Sequence, residues 1–191
     1  MDRIWVGHRN KLCQNPKIIL YNRRMAEIIP LCPDQIAEAK RVIYTTAHEL
    51  FHHQQTLAES VARYQKTWPL DDIDDFENCY IRNGGTFLVI IEGEQLVGTG
   101  GLRRLEGTTG EIKRLWLLQA HQGRGLGYAM MLQLLAAARQ QGYTRLRLET
   151  SPAYQERAFA FYQRMGFYQI PRYGDDPDDV GMEFMLSSNE K

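Results

Sequence analysis

The sequence predicts an α/β protein built on one mixed β-sheet. Strand-like runs rich in β-branched and aromatic residues alternate with helical runs in the second half of the chain, and a hairpin of two such strand-like runs precedes them. With 191 residues, 43% of them apolar and 24% charged, the chain has the size and composition of one globular domain. No internal repeat and no long linker divides it.

Seven strands and four helices account for most of the chain. The strands are predicted at residues 25–30, 86–91, 96–102, 111–118, 145–150, 167–170 and 180–186. The helices are predicted at residues 33–50, 71–82, 125–141 and 155–165, while residues 52–70 show no clear pattern. Pro33 and Asp34 favour a helix start, because proline tolerates the first turn and aspartate suits its positive end. Gly142 and Gly166 are typical helix stops.

Composition and charge argue against several classes of protein. The formal net charge is +0, so no global field favours nucleic acid or an anionic membrane. No apolar run approaches the roughly 18 residues of a membrane span, and charges interrupt the amino terminus too often for a signal peptide. Cys13, Cys32 and Cys79 lack C-x-x-C spacing, which favours free thiols in a reducing compartment. We therefore expect a cytoplasmic protein without nucleic-acid or membrane partners.

Residues 1–24 differ from the rest of the chain. They contain six lysines and arginines against a single acid, Asp2, and they show neither a helical nor a strand period. We predict an amino-terminal extension over residues 1–24 and one domain over residues 25–191.

A glycine-rich turn is the most informative segment. Residues 115–127 predict a strand, a short turn and three glycines, Gly123, Gly125 and Gly127, that open a helix. Glycine lets a backbone approach a ligand closely, and the first N–H groups of a helix lack internal partners and attract anions. The spacing does not fit a dinucleotide fingerprint, and Tyr128 stands where a P-loop needs lysine. A turn that serves only chain geometry is the alternative.

A second motif follows on the next predicted helix. It has the pattern A-x-x-x-Y-x-x-x-G-F and is formed by Ala158, Tyr162, Gly166 and Phe167. The turn before it has the pattern Q/R-x-x-G-x-G/A, beginning at Gln122. Together and in this order, the two motifs resemble those of the GNAT superfamily of acetyl-CoA-dependent N-acetyltransferases. The order of predicted elements from Met25 onward is similar to that family as well.

The resemblance implies a fold, a co-substrate and a set of binding residues. The fold is a largely antiparallel central sheet, splayed at the cofactor site, with helices on both faces. The co-substrate is acetyl-CoA, whose pyrophosphate would lie on the turn and whose pantetheine would pair with the preceding strand. The implied cofactor-binding residues are Leu115, Trp116, Leu117, Gln122, Gly123, Arg124, Gly125, Leu126, Gly127, Tyr128 and Gln155. Gln119 and Gln155 stand where the family often has proline and asparagine.

Acetyl transfer to an amine by direct attack in a ternary complex needs a base for the amine and a proton donor for the leaving thiolate. The resemblance assigns the donor role to Tyr162, because a phenol of pKa about 10 suits a thiol of pKa about 8.5. Packing beside Phe159 and Phe161 is the alternative. Glu111, in an E-x-K-R run similar to that of one subgroup of the family, could hold a water as base, or could be a solvated strand-end carboxylate. Glu149 is a weaker candidate.

A motif of another class lies on the first helix. His48, Glu49 and His52 spell H-E-x-x-H, which places two imidazoles on one helical face, as in zinc hydrolases. A third ligand has no recognisable position; Glu59, Asp71 and Asp75 are only candidates. We therefore expect no metal. The alternatives to an N-acetyltransferase are a catalytically silent acyl-CoA-binding module and, less favoured, this zinc hydrolase.

The acceptor is predicted only by class. In the family its pocket involves the first two helices, the region near residues 66–80 and the carboxy-terminal hairpin, and we prefer a small-molecule amine or amino acid over a protein terminus or lysine. The acids of residues 71–75 could attract a cationic amine, although acids at a helix start ordinarily serve the helix dipole. Tyr173 and residues 174–177 could border the site, and His121 could cap the turn or contact phosphate. A homodimer is left open.

Overall fold

The described part of the protein folds around one seven-stranded β-sheet. The structure is a computed structural model that describes residues 26–51 and 54–186. The strands are β1 (Ala26–Pro30), β2 (Thr86–Glu92), β3 (Gln95–Glu106), β4 (Thr109–Leu117), β5 (Arg145–Thr150), β6 (Tyr168–Ile170) and β7 (Val180–Met185). They lie in the order β1-β2-β3-β4-β5-β7-β6.

Helices and short helical turns accompany the sheet. The α-helices are α1 (Ile36–Phe51), α2 (Leu57–Thr67), α3 (Asp71–Asp74), α4 (Leu126–Gln140) and α5 (Glu156–Arg164). Turns of 3₁₀ helix lie at Pro33–Gln35 and Gln119–His121, and a π-helical turn lies at Glu77–Ile81. The apolar stripe predicted for α4 is buried, with Met130, Leu134 and Ala138 inaccessible to solvent.

The sheet opens between β4 and β5. These two strands run parallel, whereas the other neighbouring pairs are antiparallel. The parallel pairing is short: it joins residues 109–111 to residues 145–147 and does not continue beyond Glu111. The remaining residues of β4 and β5 therefore diverge. This arrangement confirms the expected mixed, largely antiparallel sheet with a splayed centre.

Helical segments cover both faces of the sheet, as expected. Adjacent residues of a strand point to opposite faces, and β3 shows both layers. A Cβ at Gly100 would meet Met130 and Leu134 of α4, whereas a Cβ at Gly101 would meet Tyr80 of the π-helical turn. The two glycines thus allow both layers to pack close to the centre of the sheet.

The predicted hairpin of β2 and β3 is confirmed. Its two-residue loop is Gly93-Glu94, and Gly93 has φ 64, a left-handed conformation that costs glycine little. β3 runs past the predicted end at residue 102 as far as Glu106, because it keeps pairing with the first residues of β4. The strand predicted at residues 145–150 has the bounds of β5.

Helix α2 lies where the sequence showed no clear pattern. It begins with a capping box: Glu59 N donates to Thr56 Oγ1 at 3.3 Å, and Thr56 N donates to Glu59 Oε2 at 2.8 Å. Threonine followed three residues later by glutamate is the signal in the sequence that indicates this helix start.

The prediction of one helix over residues 71–82 is wrong. α3 ends at Asp74, and the chain continues as a π-helical turn after Asp75, whose φ of −109° and ψ of 42° are not helical. Tyr80 in that turn is completely buried, contacts Phe87 edge-on at 4.9 Å, and donates a hydrogen bond to Asp72 at 2.5 Å. These tertiary contacts override the local helical pattern.

One prediction about the cysteines is also wrong. Cys32 is disulfide-bonded, whereas Cys79 is a free thiol. Sequence spacing does not reveal such a bond, because a disulfide depends on spatial proximity. The predicted extension over residues 1–24 and its boundary at Met25 lie outside the described residues. Within the part of the chain that the structure describes, no helix has both the length and the apolarity to cross a membrane.

Candidate active site

The diverging ends of β4 and β5 enclose a cleft of about 750 Å³. Residues 111–116 of β4 and 148–150 of β5 form two of its walls, and residues of α1, α2, α5 and the loop before β7 complete it. Five of the predicted site residues line this one cavity: Glu111, Leu115, Trp116, Gln155 and Tyr162. Leu117 and the residues of the glycine turn, 122–128, are not part of the lining.

Tyr162 is both a core residue and a cleft residue. Its ring lies 5.5 Å from that of Phe161 and 5.9 Å from that of Phe167, and 7% of the residue is exposed. Within residues 26–51 and 54–186 its hydroxyl makes no hydrogen bond, although the residue lines the cleft. Burial raises the pKa of Tyr162, so the phenol stays protonated at neutral pH. Packing and proton donation are therefore compatible roles.

Glu111 is a buried carboxylate at the point where β4 and β5 part. Its side chain is 4% exposed, which does not fit the alternative of a solvated strand-end carboxylate. Arg103, directly opposite on β3, donates from Nε to its Oε2 at 2.8 Å, and Lys113 Nζ lies 3.5 Å from its Oε1. The Tyr173 hydroxyl also lies 3.5 Å from Oε1. Glu111 thus links the cleft wall to the loop before β7.

Glu149 organises the same loop. Its Oε1 accepts hydrogen bonds from the backbone N–H groups of Tyr173 at 2.8 Å and Gly174 at 2.6 Å. A Cβ at Gly174 would collide with Glu149 Oε2, so only glycine allows this close approach. The hydrogen bonds give Glu149 a structural use, and they place the loop that follows Tyr173 beside the cleft.

The glycine turn presents backbone N–H groups at the start of α4. Gly125 caps the helix with φ 82, and the first hydrogen bond of the helix is donated by Ala129 N to Gly125 O at 2.9 Å. The N–H groups of Leu126, Gly127 and Tyr128 precede that bond and have no partner inside the helix. No side chain caps this end. The arrangement therefore suits an anionic group such as a pyrophosphate.

Gly127 provides a test of that fit. Its φ is not in the left-handed region, and a Cβ placed on it would meet no described atom within 4 Å. Neither backbone conformation nor internal packing therefore requires glycine here, although glycine costs a helix about 1 kcal/mol relative to alanine. The space that a Cβ would fill is space in which a phosphate could approach the backbone.

Side chains of the turn are held within the protein. Arg124 pairs with Glu92 through contacts of 2.5 and 3.0 Å, and His121 Nδ1 lies 2.7 Å from the same carboxylate. Gln122 donates from Nε2 to Leu117 O at 3.0 Å. His121 therefore braces the turn through Glu92.

Two residues of the H-E-x-x-H motif form hydrogen bonds with other residues of the protein. His48 Nδ1 is hydrogen-bonded to Ser60 Oγ at 2.9 Å, and Glu49 Oε2 accepts a hydrogen bond from Gln119 N at 3.2 Å. His52 lies outside the described residues. Proline, which the family often has at the position of Gln119, has no backbone N–H to donate to Glu49. The hydrogen bond therefore explains how glutamine fits at this position. Over residues 26–51 and 54–186, no three metal-binding side chains form a group.

Two polar side chains at the end of β5 border the cleft. Thr150 Oγ1 donates to Gln155 Oε1 at 2.7 Å, which fixes the Gln155 amide at the start of α5. Ser151 is 6% exposed, and its Oγ has no hydrogen-bond partner in the described part of the chain. Because buried hydroxyls are ordinarily paired, Ser151 is a group that a ligand in the cleft could satisfy.

The acids that line the cleft are not those of residues 71–75. Asp72 is bonded to Arg114 and Tyr80, Asp74 pairs with Lys40, and neither lines the cleft. The expectation that residues 71–75 attract the amine therefore has no support in the structure. The acids in the lining, apart from Glu111 and Glu149, are Asp176, Asp178 and Asp179 of the loop before β7. This loop follows Tyr173, which the sequence had indicated as a border of the site.

Comparison with known proteins decides the family. Residues 49–167, more than half of the chain, match the model of the acetyltransferase (GNAT) family. The chain belongs to this family. The acetyltransferase is 38% identical over 101 residues to the N-acetyltransferase YsnE of Bacillus subtilis, a match that covers 51% of this chain and 67% of that protein. The chain spans about half to two thirds of the length of the curated relatives it matches.

Solved structures share the fold of the acetyltransferase. An acetyltransferase from Streptococcus agalactiae matches with a TM-score of 0.70 and 25% identity, over 84% of this chain and 98% of that one. The PaiA N-acetyltransferase from Thermoplasma acidophilum, solved in complex with coenzyme A, matches with a TM-score of 0.66 and 19% identity, over 84% and 99%. These matches confirm the predicted fold class.

Proposed function

We propose that this acetyltransferase moves an acetyl group from acetyl-CoA to the primary amine of a small cationic molecule, by direct attack in a ternary complex. One observation carries the proposal. The divergence of β4 and β5 brings Glu111, Tyr162 and the exposed edge of β4 around a single cleft. A proton acceptor and a proton donor serve the chemistry of amine acetylation, and the unpaired strand edge could bind the arm of the acetyl donor.

The residues present suit acetyl-CoA as co-substrate. The free N–H groups at the start of α4 and the open space at Gly127 would bind its pyrophosphate. The edge of Leu115–Leu117, which β5 leaves unpaired, would hold its pantetheine arm by hydrogen bonds of the strand type. When bound, acetyl-CoA supplies the activated thioester. The PaiA protein of similar fold was solved with coenzyme A, which supports this part of the proposal.

Tyr162 would donate the proton that the leaving sulfur needs. Burial holds its phenol in the protonated form across the physiological pH range, and its hydroxyl is not committed to a described neighbour. The rings of Phe161 and Phe167 fix the direction of the side chain. A fixed donor loses little entropy when the reacting groups assemble.

Glu111 would accept the proton of the amine through a water molecule. It lies on the cleft wall, and Arg103 holds its Oε2, while Oε1 is contacted more loosely by Lys113 and Tyr173 at 3.5 Å. Glu149, the other carboxylate of this region, already accepts two short hydrogen bonds from the backbone of the loop. Glu111 is therefore the better candidate for the base.

The loop before β7 favours a cationic acceptor. Asp176, Asp178 and Asp179 line the cleft, and no ion pair within the described residues neutralises them. Burial, together with the charges of Asp176 and Glu149, raises the pKa of Asp179 to about 6, against the opposing effect of the Lys113 charge. The fold thus concentrates negative charge at this side of the cavity, and an ammonium group would relieve that repulsion.

The aromatic residues of the cavity favour a small acceptor with an apolar part. Besides Tyr162, the aromatic side chains in its lining are Phe51, Tyr64, Trp68, Trp116 and Tyr154. A volume of about 750 Å³ lies in the range of small-molecule sites, and part of it must hold the acetylated thiol arm. A cation with methylene groups would place its charge near the aspartates and its carbons against the aromatic rings.

A panel of acceptors tests the proposal. The full chain is incubated with acetyl-CoA and, separately, with diamines, amino acids and peptides, and both thiol release and product mass are followed. Acetylation of small diamines or basic amino acids above the rate without acceptor is the expected result. Saturable binding of acetyl-CoA with no acetylated product from any acceptor would favour the silent binding module. Hydrolase activity that follows the zinc content would instead favour the H-E-x-x-H alternative.

A further inference from the structure

Backbone strain is concentrated at two residues beside the cleft. Leu70 and Arg114 are the non-glycine residues with positive φ in the described chain, at 58° and 55°. Residues with a Cβ avoid this left-handed region because the side chain crowds the backbone, and such strain persists only where the surroundings enforce it. Leu70 precedes α3 and is 2% exposed, whereas Arg114 lies in the middle of β4.

A single set of contacts joins the two strained segments. The Arg114 guanidinium binds the Asp72 carboxylate with two hydrogen bonds, Nε to Oδ2 at 3.0 Å and Nη2 to Oδ1 at 2.8 Å. The guanidinium carbon also lies 5.0 Å from the centre of the Trp68 ring. Trp68 and Asp72 stand two residues before and two residues after Leu70. We refer to Trp68, Asp72 and Arg114 as the clamp.

Neighbouring residues hold each part of the clamp. The Tyr80 hydroxyl donates to Asp72 Oδ2 at 2.5 Å, and the Tyr44 hydroxyl donates to the backbone oxygen of Trp68 at 3.1 Å. The side chains of Arg114 and Asp72 are only 16% and 15% exposed. Burial by itself raises the pKa of Asp72, but the bonds and charge of Arg114 and the bond from Tyr80 hold it below the ordinary value. Asp72 is therefore a fully partnered carboxylate.

The clamp acts on a bulge in β4. Thr99 of β3 faces Trp116 and Gly101 faces Lys113, so that Gly100 faces both Arg114 and Leu115. Thr99 Oγ1 binds the Arg114 carbonyl oxygen at 2.7 Å. The bulge sets the direction in which the next backbone groups point, and those groups belong to Leu115 and Trp116 in the wall of the cleft. Trp68 also packs edge-on against Trp116 at 6.2 Å.

We propose that Asp72 is a positioning residue for acyl transfer: by clamping Arg114 in its left-handed conformation, it sets the orientation of the Leu115 and Trp116 backbone toward the acyl group. The inference rests on the proposed function, because it assigns this part of β4 to the acyl donor. Asp72 touches no reacting group. It acts through Arg114, and a misplacement of about 1 Å at a reacting centre can cost about 100-fold in rate.

The test compares Asp72→Asn with Asp74→Asn on the full chain. Both residues lie on α3, but Asp74 is 52% exposed and pairs only with Lys40, so it is the matched control. Hydrogen–deuterium exchange at residues 114–117 and the single-turnover rate at saturating acetyl-CoA are measured. For Asp72→Asn we expect faster exchange and a transfer rate lower by about 10- to 100-fold. For Asp74→Asn we expect exchange and transfer as in the parent.

A double-mutant cycle separates positioning from general stabilisation. Arg114→Gly removes the guanidinium and also tolerates positive φ, so Asp72→Asn should cause little additional loss in that background. If Asp72→Asn does not fold, Arg114→Lys, which keeps the charge but loses the two-pronged contact, takes its place. The proposal is overturned if Asp72→Asn transfers the acetyl group at the parent rate. It is also overturned if Asp72→Asn lowers the transfer rate equally in the parent and in the Arg114→Gly background. If the parent protein acetylates no amine, the proposed function is overturned. The comparison of hydrogen–deuterium exchange between Asp72→Asn and Asp74→Asn then tests by itself whether Asp72 holds Arg114.

Discussion

Arg124 and Glu92 form an ion pair that ties the glycine turn to the end of β2. The guanidinium nitrogens lie 2.5 and 3.0 Å from the carboxylate oxygens, and the Glu92 side chain is 8% exposed. The hydrogen bonds and charge of Arg124, with the contact from His121, hold the pKa of Glu92 at about 2. The side chain of Arg124 is thereby bound within the protein.

Replacement of Glu92 by glutamine should destabilise the protein in a pH-dependent way. A carboxyl whose folded pKa is about 2 rather than 4.5 stabilises the folded state above pH 4.5, and this contribution is lost as the pH falls toward 2. We expect Glu92→Gln to lower Tm by about 1–4 °C at pH 7, since the pair is partly solvated. The difference from the parent should shrink between pH 5 and pH 3. A constant difference over this range would contradict the assigned role.

Gly127→Ala should change stability and cofactor affinity in opposite directions. A Cβ at this position meets no described atom, and alanine favours a helix by about 1 kcal/mol over glycine, so Tm should rise by about 2–4 °C. The same methyl group would occupy the space proposed for the phosphate, so acetyl-CoA should bind more weakly. Calorimetric titration and thermal denaturation of both proteins give the two values. A more stable variant with unchanged acetyl-CoA affinity would remove Gly127 from the binding site.

Asp179→Asn should stabilise the protein while weakening acceptor binding. The folded pKa of about 6 lies above the ordinary 3.8, so stability is lost as the pH rises from about 4 to 6 and stays lost at pH 7. The neutral amide removes this cost, and we expect Tm at pH 7 to rise by about 1–3 °C after allowance for solvent screening. KM for a cationic amine should increase, with acetyl-CoA affinity unchanged.

Asp175→Asn is the control for that experiment, because Asp175 belongs to the same loop but does not line the cleft. Its KM for the amine should equal that of the parent. An equal increase in both variants would indicate a long-range charge effect rather than a local acceptor site.

The sequence predicted those parts of the molecule that depend on local pattern. The strands, the start and end of α4, and the placement of Tyr162 on α5 follow from hydrophobic period and from glycines at helix ends. The capping box of Thr56 and Glu59 is also a local sequence signal. It indicates where α2 begins, so this helix could have been predicted from the sequence.

Features that depend on tertiary contact were not predictable in the same way. Asp72 has the same local setting as Asp74, and only the fold reveals that one meets Arg114 across 42 residues while the other meets Lys40. The negative wall of the cleft likewise depends on where Glu149 holds the loop before β7. Cys32 has a bonded partner that its spacing does not indicate.

The measurement that tests the account most directly is the single-turnover rate of Tyr162→Phe. Phenylalanine keeps the ring contacts with Phe161 and Phe167 and removes only the hydroxyl. The single-turnover experiment avoids product release, which can hide a slower chemical step. Tyr168→Phe is the matched control, because the Tyr168 hydroxyl binds Glu183 and the residue does not line the cleft.

We predict that Tyr162→Phe lowers the rate of acetyl transfer at saturating acetyl-CoA by about 10²- to 10⁴-fold, the range of general acid catalysis. Acetyl-CoA affinity and Tm should stay close to the parent values, and Tyr168→Phe should transfer at the parent rate. A Tyr162→Phe protein that transfers the acetyl group as fast as the parent would contradict the account and return Tyr162 to a packing role.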